Sequence, residues 1–187
     1  MAVAKGLVYL DHNATPPPHP EVLEAMHEAE RTAWANPASV HRPGQIARAH
    51  LDHARRAVAE LSGFDPRDVV LTSGGTEANN LALRHPFHGG QRGGLVLSRL
   101  EHPSVTRVAE ELARDGVEVV WARATHAGVI SVEDVERALA LLVARGGVVL
   151  VSLQAANHET GVLQPLEAVR ELAARSGALL HVDAVQA

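Results

Sequence analysis

Cysteine is absent from the 187 residues, which excludes disulfides, thiolate metal sites and a cysteine nucleophile within this sequence. Lysine is nearly absent: Lys5 is the only one, and the other sixteen of the seventeen Lys and Arg residues are arginine. Chemistry that needs a side-chain amine therefore has one candidate, ahead of every motif described below. Aromatics make up 3%, so a core must be assembled from Ala, Val and Leu, which suits helices on parallel strands better than an aromatic-rich β-sandwich. There is no cationic excess either. The formal net charge is −5 at pH 7, which argues against a nucleic-acid binder resting on a broad basic surface. No apolar run reaches a membrane span; the longest, Ala138 to Val151, is cut by Arg145 and Gly146-Gly147. Met1 to Leu10 is too short ahead of Asp11-His12-Asn13 for a signal sequence. With 46% hydrophobic residues, the expectation is a soluble, cytoplasmic protein with one core and at most a small appendage.

What is present changes character along the chain. Pro16-Pro17-Pro18 forces an extended turn after the apolar segment Leu7 to Leu10. Glu21 to Trp34 places Val22, Met26, Ala29 and Ala33 at helical spacing, and Gln45 to Ser62 does the same with Ala47, Leu51, Ala54, Val58 and Leu61 before stopping at Gly63. Between them, Asn36-Pro37 to Pro43-Gly44 reads as a polar loop. From residue 69 short apolar strands alternate with amphipathic helices. The strands are Val69–Thr72, Leu95–Ser98, Val117–Trp121, Val148–Leu153 and Ala178–Val182. The helices run from Thr76 to about Arg84, from Pro103 to near Gly116, from a capping box at Ser131 and Asp134 to about Arg145, and from Pro165 to Gly177. That alternation predicts parallel pairing with right-handed crossovers, an α/β fold. Asp183 ends a strand that reads as central, and the sequence stops at Ala187. A doubly wound sheet rarely leaves such a strand uncovered, so the chain reads as unfinished.

In open α/β sheets ligands bind beyond the carboxyl ends of the strands. The residues following the strands are Ser73-Gly74-Gly75-Thr76, Glu101-His102, Gln154 through Glu159 with Asn157, and Asp183 with Gln186. Gly74-Gly75-Thr76 leads straight into a helix, where free N–H groups, a hydroxyl and the positive helix end suit a phosphate. Neither the P-loop spacing nor the dinucleotide fingerprint is present, and an ordinary tight turn capped by Thr76 accounts for the segment taken alone. His102 before Pro103 suits a helix cap, and Asn157 suits turn chemistry. Asp183 is the most telling residue: partly buried at a strand end, it wants a donor or cationic partner, for which a structural pair with an arginine is the plain alternative. His50 with His53, and His85 with His88, lack a convincing third ligand and read as solvated surface, so no metal is expected.

Six motifs in order carry a resemblance that spacing alone does not supply. They are Tyr9-Leu10-Asp11-His12-Asn13-Ala14-Thr15, Asn36-Pro37-Ala38-Ser39-Val40-His41-Arg42-Pro43-Gly44 and Thr72-Ser73-Gly74-Gly75-Thr76-Glu77-Ala78-Asn79-Asn80, then Glu101-His102, Asn157-His158-Glu159-Thr160-Gly161 and His181-Val182-Asp183-Ala184-Val185-Gln186. Together they resemble the amino-terminal half of a cysteine desulfurase, in the class V aminotransferase group of pyridoxal 5′-phosphate enzymes. The resemblance implies a three-layer α/β sandwich of fold type I, with 1–15 belonging to a small domain and 16–187 to an incomplete cofactor-binding large domain.

It also implies roles. Gly75 and Thr76 would hold the cofactor phosphate, and Asp183 would pair with the pyridine nitrogen so that the ring acts as an electron sink. His102 would stack on the ring and serve as the catalytic proton carrier, while Asn157 and Gln186 would bond the ring hydroxyl oxygen. The loop from Asn36 to Gly44 would approach the site and a second subunit, the family being generally homodimeric. The family reaction takes sulfur from L-cysteine, leaving L-alanine and an enzyme persulfide that can pass to a sulfur-acceptor protein. Whether that sulfur would serve iron–sulfur cluster assembly, tRNA thiolation or another pathway stays open. The family's Schiff-base lysine, in a Ser-x-His-Lys segment, its sulfur-accepting cysteine and its carboxylate-gripping arginine have no counterpart here, and Lys5 matches none of them. The expectation is a chain truncated before the Schiff-base lysine, a weak noncovalent cofactor binder inactive alone. The alternatives are a selenocysteine lyase or other class V aminotransferase fragment, a split enzyme completed by a second polypeptide, or a non-catalytic dimerising remnant.

Overall fold

The apolar runs of the later sequence become the strands of one parallel sheet. The computed structural model describes residues 8–187, so Lys5 lies outside the described residues. The chain divides into two compact units, one ending at Leu71 and the other comprising Thr72–Ala187.

In the first unit, helix α1 spans Pro20–Thr32 and helix α2 spans Arg42–Ser62, followed by a 3-10 turn at Pro66–Asp68. Helix α2 begins earlier than the loop reading expected, so Pro43 and Gly44 belong to its first turn. Proline loses nothing there, because first-turn N–H groups have no intrahelical partner. The His41 ring caps the helix by accepting from the Gly44 N–H at 3.3 Å. A side chain at Gly44 would sit 2.4 Å from the Ser39 carbonyl oxygen, so glycine is what lets the Asn36–His41 loop fold back on the helix. Gly63, in the left-handed region at φ 75°, closes α2.

The second unit is a four-stranded sheet of order β2-β1-β3-β4, all pairs parallel, with β1 at Gly93–Ser98, β2 at Glu118–Ala122, β3 at Val148–Gln154 and β4 at Leu179–Asp183. Helices α3 (Gly75–Arg84), α4 (Pro103–Arg114), α5 (Val132–Arg145) and α6 (Leu166–Ser176) cover it. Side chains alternate along a strand, and β1 feeds both faces. Leu95 and Leu97 pack with Leu83, Val105, Val108 and Leu112 of α3 and α4, whereas Val96 packs with Val135, Leu139, Val169 and Leu172 of α5 and α6. Three layers result. At Gly93 a Cβ would lie 2.1 Å from the Val148 carbonyl oxygen, so strand pairing itself requires glycine there. Ser131 caps α5 as expected, its Oγ accepting from the Asp134 N–H at 3.2 Å, but the Asp134 carboxylate turns to the Arg123 guanidinium instead of completing a box.

Two expectations fail. Val69–Thr72 is not a strand: no ladder partner exists among the described residues, and Val70 and Leu71 are exposed. An apolar run gains the strand state only from a neighbour that supplies hydrogen bonds and cover. Asp183 does not end a central strand either, since β4 pairs with β3 on one side only and exposes Leu179 and Val182. No helix among the described residues is long and apolar enough to cross a membrane.

Candidate functional site

Helix α4 leaves the sheet on one face and α6 on the other, so the chain reverses direction between β1 and β3, and the crevice at their carboxyl ends is where such sheets bind ligands. Three polypeptide turns meet there: the start of α3, the Leu100-Glu101-His102 turn after β1, and the Asp183–Ala187 turn after β4.

Helix α3 opens without a side-chain cap. Gly74 is its N-cap, in extended conformation, and Thr76 lies inside the first turn, so the expected Thr76 cap is not formed. An uncapped first turn leaves backbone N–H groups at the positive helix end without intrahelical partners, next to an exposed threonine hydroxyl. Glu77 bends back to Ser73, accepting from its N–H and from its Oγ at 2.7 Å each. Those two bonds hold the carboxyl of Glu77 below its usual range and fix the loop before the helix. A Cβ on Gly75 would stand 3.2 Å from Val185 Cγ2, so glycine lets the helix start against the turn that follows Asp183.

Asp183 takes neutral donors rather than an arginine. Its Oδ2 accepts from Asn79 Nδ2 at 2.9 Å and its Oδ1 from the Val185 N–H at 3.1 Å. Asn79, one turn on from Thr76, also donates to Ser104 Oγ at 2.9 Å, and that hydroxyl meets His102 Nδ1 at 2.7 Å. His102 caps α4 by accepting from the Ser104 N–H at 3.1 Å. Its ring meets His158 edge to face, 5.2 Å between centroids. Thr76, Asn80, His102, Ser104 and Arg107 line a cleft of about 270 Å³ between α3 and α4.

Asn157 performs the turn chemistry expected of it. Its Oδ1 accepts from the N–H groups of Glu159 and Thr160 at 3.0 and 2.8 Å and from Thr160 Oγ1, while Nδ2 donates to the Leu100 carbonyl at 3.1 Å. An amide carries two N–H bonds, so Nδ2 can still offer one. Gln186 is half-buried, in the turn closed by the Ala187 N–H on the Ala184 carbonyl at 3.1 Å. The sites expected from sequence thus fall into one connected group (Gly75, Thr76, His102 and Asp183) and two flanking residues, Asn157 and Gln186. His50, His53, His85 and His88 are exposed, and no cluster of three or more His, Cys, Asp or Glu suited to a metal occurs among the described residues.

Three residues here were given no role from sequence: Asn79, Ser104 and Glu101. Asn79 had a signal, being a polar residue on the stripe of α3 that also buries Leu83. Glu101 is 4% exposed, with Oε1 accepting from the Gln154 N–H at 2.9 Å and Oε2 lacking any hydrogen-bond partner. Burial pushes its carboxyl up to about 8, against the Gln154 bond and helped by the charge of Asp183. The shift favours the neutral form at pH 7.

The assembled groups suit an anion at the α3 terminus and a protonated nitrogen at Asp183. Comparison with known proteins identifies the family. The profile of the family "Aminotransferase class-V" matches residues 8–187. The cysteine desulfurase IscS of Aeromonas hydrophila subsp. hydrophila is 41% identical over 184 residues, covering 96% of this chain and 44% of its own length. Among solved structures, a NifS-like protein superposes with a TM-score of 0.85 at 32% identity, covering 96% of this chain and 49% of its own. The structure described as SspA in complex with cysteine gives 0.88 at 30%, covering 96% and 51%. The chain thus spans about half the length of the relatives it matches.

Proposed function

Because this chain belongs to the class V aminotransferase family, we propose that it supplies the phosphate-holding and nitrogen-holding part of a cysteine desulfurase-like site that takes pyridoxal 5′-phosphate and acts on L-cysteine. The observation that carries this reading is the bond from Asn79 Nδ2 to Asp183 Oδ2 at 2.9 Å. It puts the start of α3 and the strand-end carboxylate at the same end of the sheet, within a helical turn of each other.

The donor set supports that cofactor. Gly75 and Thr76 would hold the phosphate through first-turn N–H groups and the hydroxyl. Each oxygen of Asp183 has one donor and a lone pair to spare, so the carboxylate would accept the pyridine N–H and keep its proton in place. Bound there, the cofactor would supply an electron sink. His102 would lie against the ring and carry protons, while Asn157 and Gln186 would offer donors to the ring hydroxyl oxygen. The upward shift of Glu101 disfavours a second carboxylate charge beside Asp183.

We assign residues 16–187 to the cofactor-binding domain and 1–15 to a second, smaller one. The whole enzyme would be a homodimer that passes sulfur to an acceptor protein. The sequence holds one lysine, Lys5, and no cysteine, so this chain alone would bind the cofactor noncovalently and would not turn over L-cysteine.

Absorbance titration with pyridoxal 5′-phosphate tests this. Saturable binding is expected, weakened about tenfold or more in Thr76→Ala and in Asp183→Ala, the cost of a charge-assisted hydrogen bond. No saturable binding, or variants equal to the parent, would overturn the site. Sustained alanine release from L-cysteine by the loaded chain would overturn the claim of inactivity.

A further inference from the structure

We infer that Asn79 and Ser104 are positioning residues that tie Asp183 to His102 and fix the imidazole with Nδ1 as an acceptor and its proton on Nε2. The functional meaning rests on the cofactor reading above; the hydrogen-bond logic does not.

The Ser104 backbone bond sets the directions in this chain. A backbone N–H can only donate, so the Ser104 N–H on His102 Nδ1 at 3.1 Å requires a bare Nδ1. The only proton left for the 2.7 Å contact between Ser104 Oγ and Nδ1 is then the hydroxyl's own. With its proton committed to His102, Ser104 Oγ acts as an acceptor toward Asn79 Nδ2 at 2.9 Å. The second Nδ2 proton goes to Asp183 Oδ2, also at 2.9 Å. A flipped amide would set its oxygen against the Asp183 carboxylate, acceptor facing acceptor, so the orientation of Asn79 is fixed by chemistry. Asn79 is 5% and Ser104 9% exposed, so water does not readily replace either bond.

Two consequences follow for the site. Any proton His102 gives or takes passes through Nε2, since Nδ1 is held by two donors. The carboxylate that would face the pyridine nitrogen and the imidazole that would face the ring are set by one buried amide, so their relative placement does not depend on exposed loops. His102, a cap by the plain reading of the sequence, is thereby a cap with a defined tautomer.

The test is carried out on the chain without cofactor. With 15N-labelled histidine, long-range 1H–15N correlation spectra read the tautomer of each neutral ring. His102 is expected as Nε2–H. In Ser104→Ala the ratio of Nε2–H to Nδ1–H should fall about fivefold, the worth of one net hydrogen bond, and Ser104→Thr, which keeps a hydroxyl, should restore it. His181, whose Nδ1 meets Ser152 Oγ at 2.9 Å rather than Ser104, serves as an internal reference and should not move. A parent protein with His102 as Nδ1–H would overturn the inference even if no variant folds. So would an unchanged ratio in a folded Ser104→Ala. A correct tautomer with no saturable cofactor binding would instead leave the network standing and remove the proposed function.

Discussion

Helices α1 and α5 carry nearly the same pattern and meet different fates. Val22, Met26 and Ala29 of α1, with Ala33 at its end, form one apolar stripe at helical spacing, as do Val135, Ala138, Leu139 and Leu142 of α5. All four α5 residues are buried, whereas α1 buries none, with Val22 and Met26 about half exposed. Periodicity thus says which face of a helix is apolar; burial depends on whether a second apolar surface faces it. For α5 that surface is the sheet, through Val96, Val149 and Val151. The stabilisation from removing a side chain from water belongs to the pair of surfaces and not to the stripe.

The largest test of that contrast is a cavity in the sheet unit. Leu139 is 1% exposed in the cluster formed by α5, α6 and the sheet, so Leu139→Ala should lower the unfolding free energy by about 2–5 kcal/mol. Denaturant titration checks it. A loss below 1 kcal/mol would mean that the site collapses around the gap or that this core contributes little, and the contrast with α1 would fail.

A second test uses the buried carboxyl at the sheet's end. In the folded chain Glu101 titrates near 8, raised from an ordinary value of 4.5 chiefly by burial. A raised value means the folded state holds the proton longer than the unfolded one. Its contribution is therefore complete below pH 4.5 and is lost as pH climbs to about 8. Over that window the loss should be on the order of a few kcal/mol. Burial shifts His181 the other way, lowering it despite the opposing charge of Asp183, so its contribution is present above the ordinary histidine range and fades as pH falls. Glu101→Gln keeps an acceptor for the Gln154 N–H and removes the titration, while His181 is common to both proteins. The difference in denaturant midpoint between variant and parent should therefore grow in the variant's favour from pH 5 to pH 8. Parallel profiles would show that Glu101 is solvated.

The fold's legibility follows the same division. Strands β1, β2, β3 and β4 and helices α4, α5 and α6 could be placed within a few residues because each apolar run had its partner elsewhere in the sequence, along with caps such as Ser131 and Gly177. Val69–Thr72 could not, since an apolar run becomes a strand only beside a ladder partner and none pairs with it among the described residues. Gly75, Thr76, His102 and Asp183 were named from strand ends and motif resemblance, and their clustering follows from the α/β rule. Asn79, Ser104 and Glu101 received no role, because their importance lies in who faces them. A buried amide on a helix stripe and a serine after a proline look ordinary until the bonds to Asp183 and His102 are drawn.

The smallest expected effect returns to α1. Met26 is 54% exposed, and glutamine matches methionine closely in helix propensity, so Met26→Gln removes an apolar side chain while leaving the helix itself undisturbed. If nothing covers the stripe, the unfolding free energy should change by no more than about 0.5 kcal/mol, as for ordinary surface positions. The measurement gains its force from being repeated over a range of protein concentrations. A cost of about 2 kcal/mol or more at every concentration would mean that Met26 is buried in solution by its own chain, and α1 would join α5. A cost that grows with concentration would place a second molecule against the stripe, because association stabilises by mass action. Either result would trace the difference between the two helices to a missing partner rather than to any weakness of α1, whereas a flat, small response would show that an apolar face of this size can stay in water.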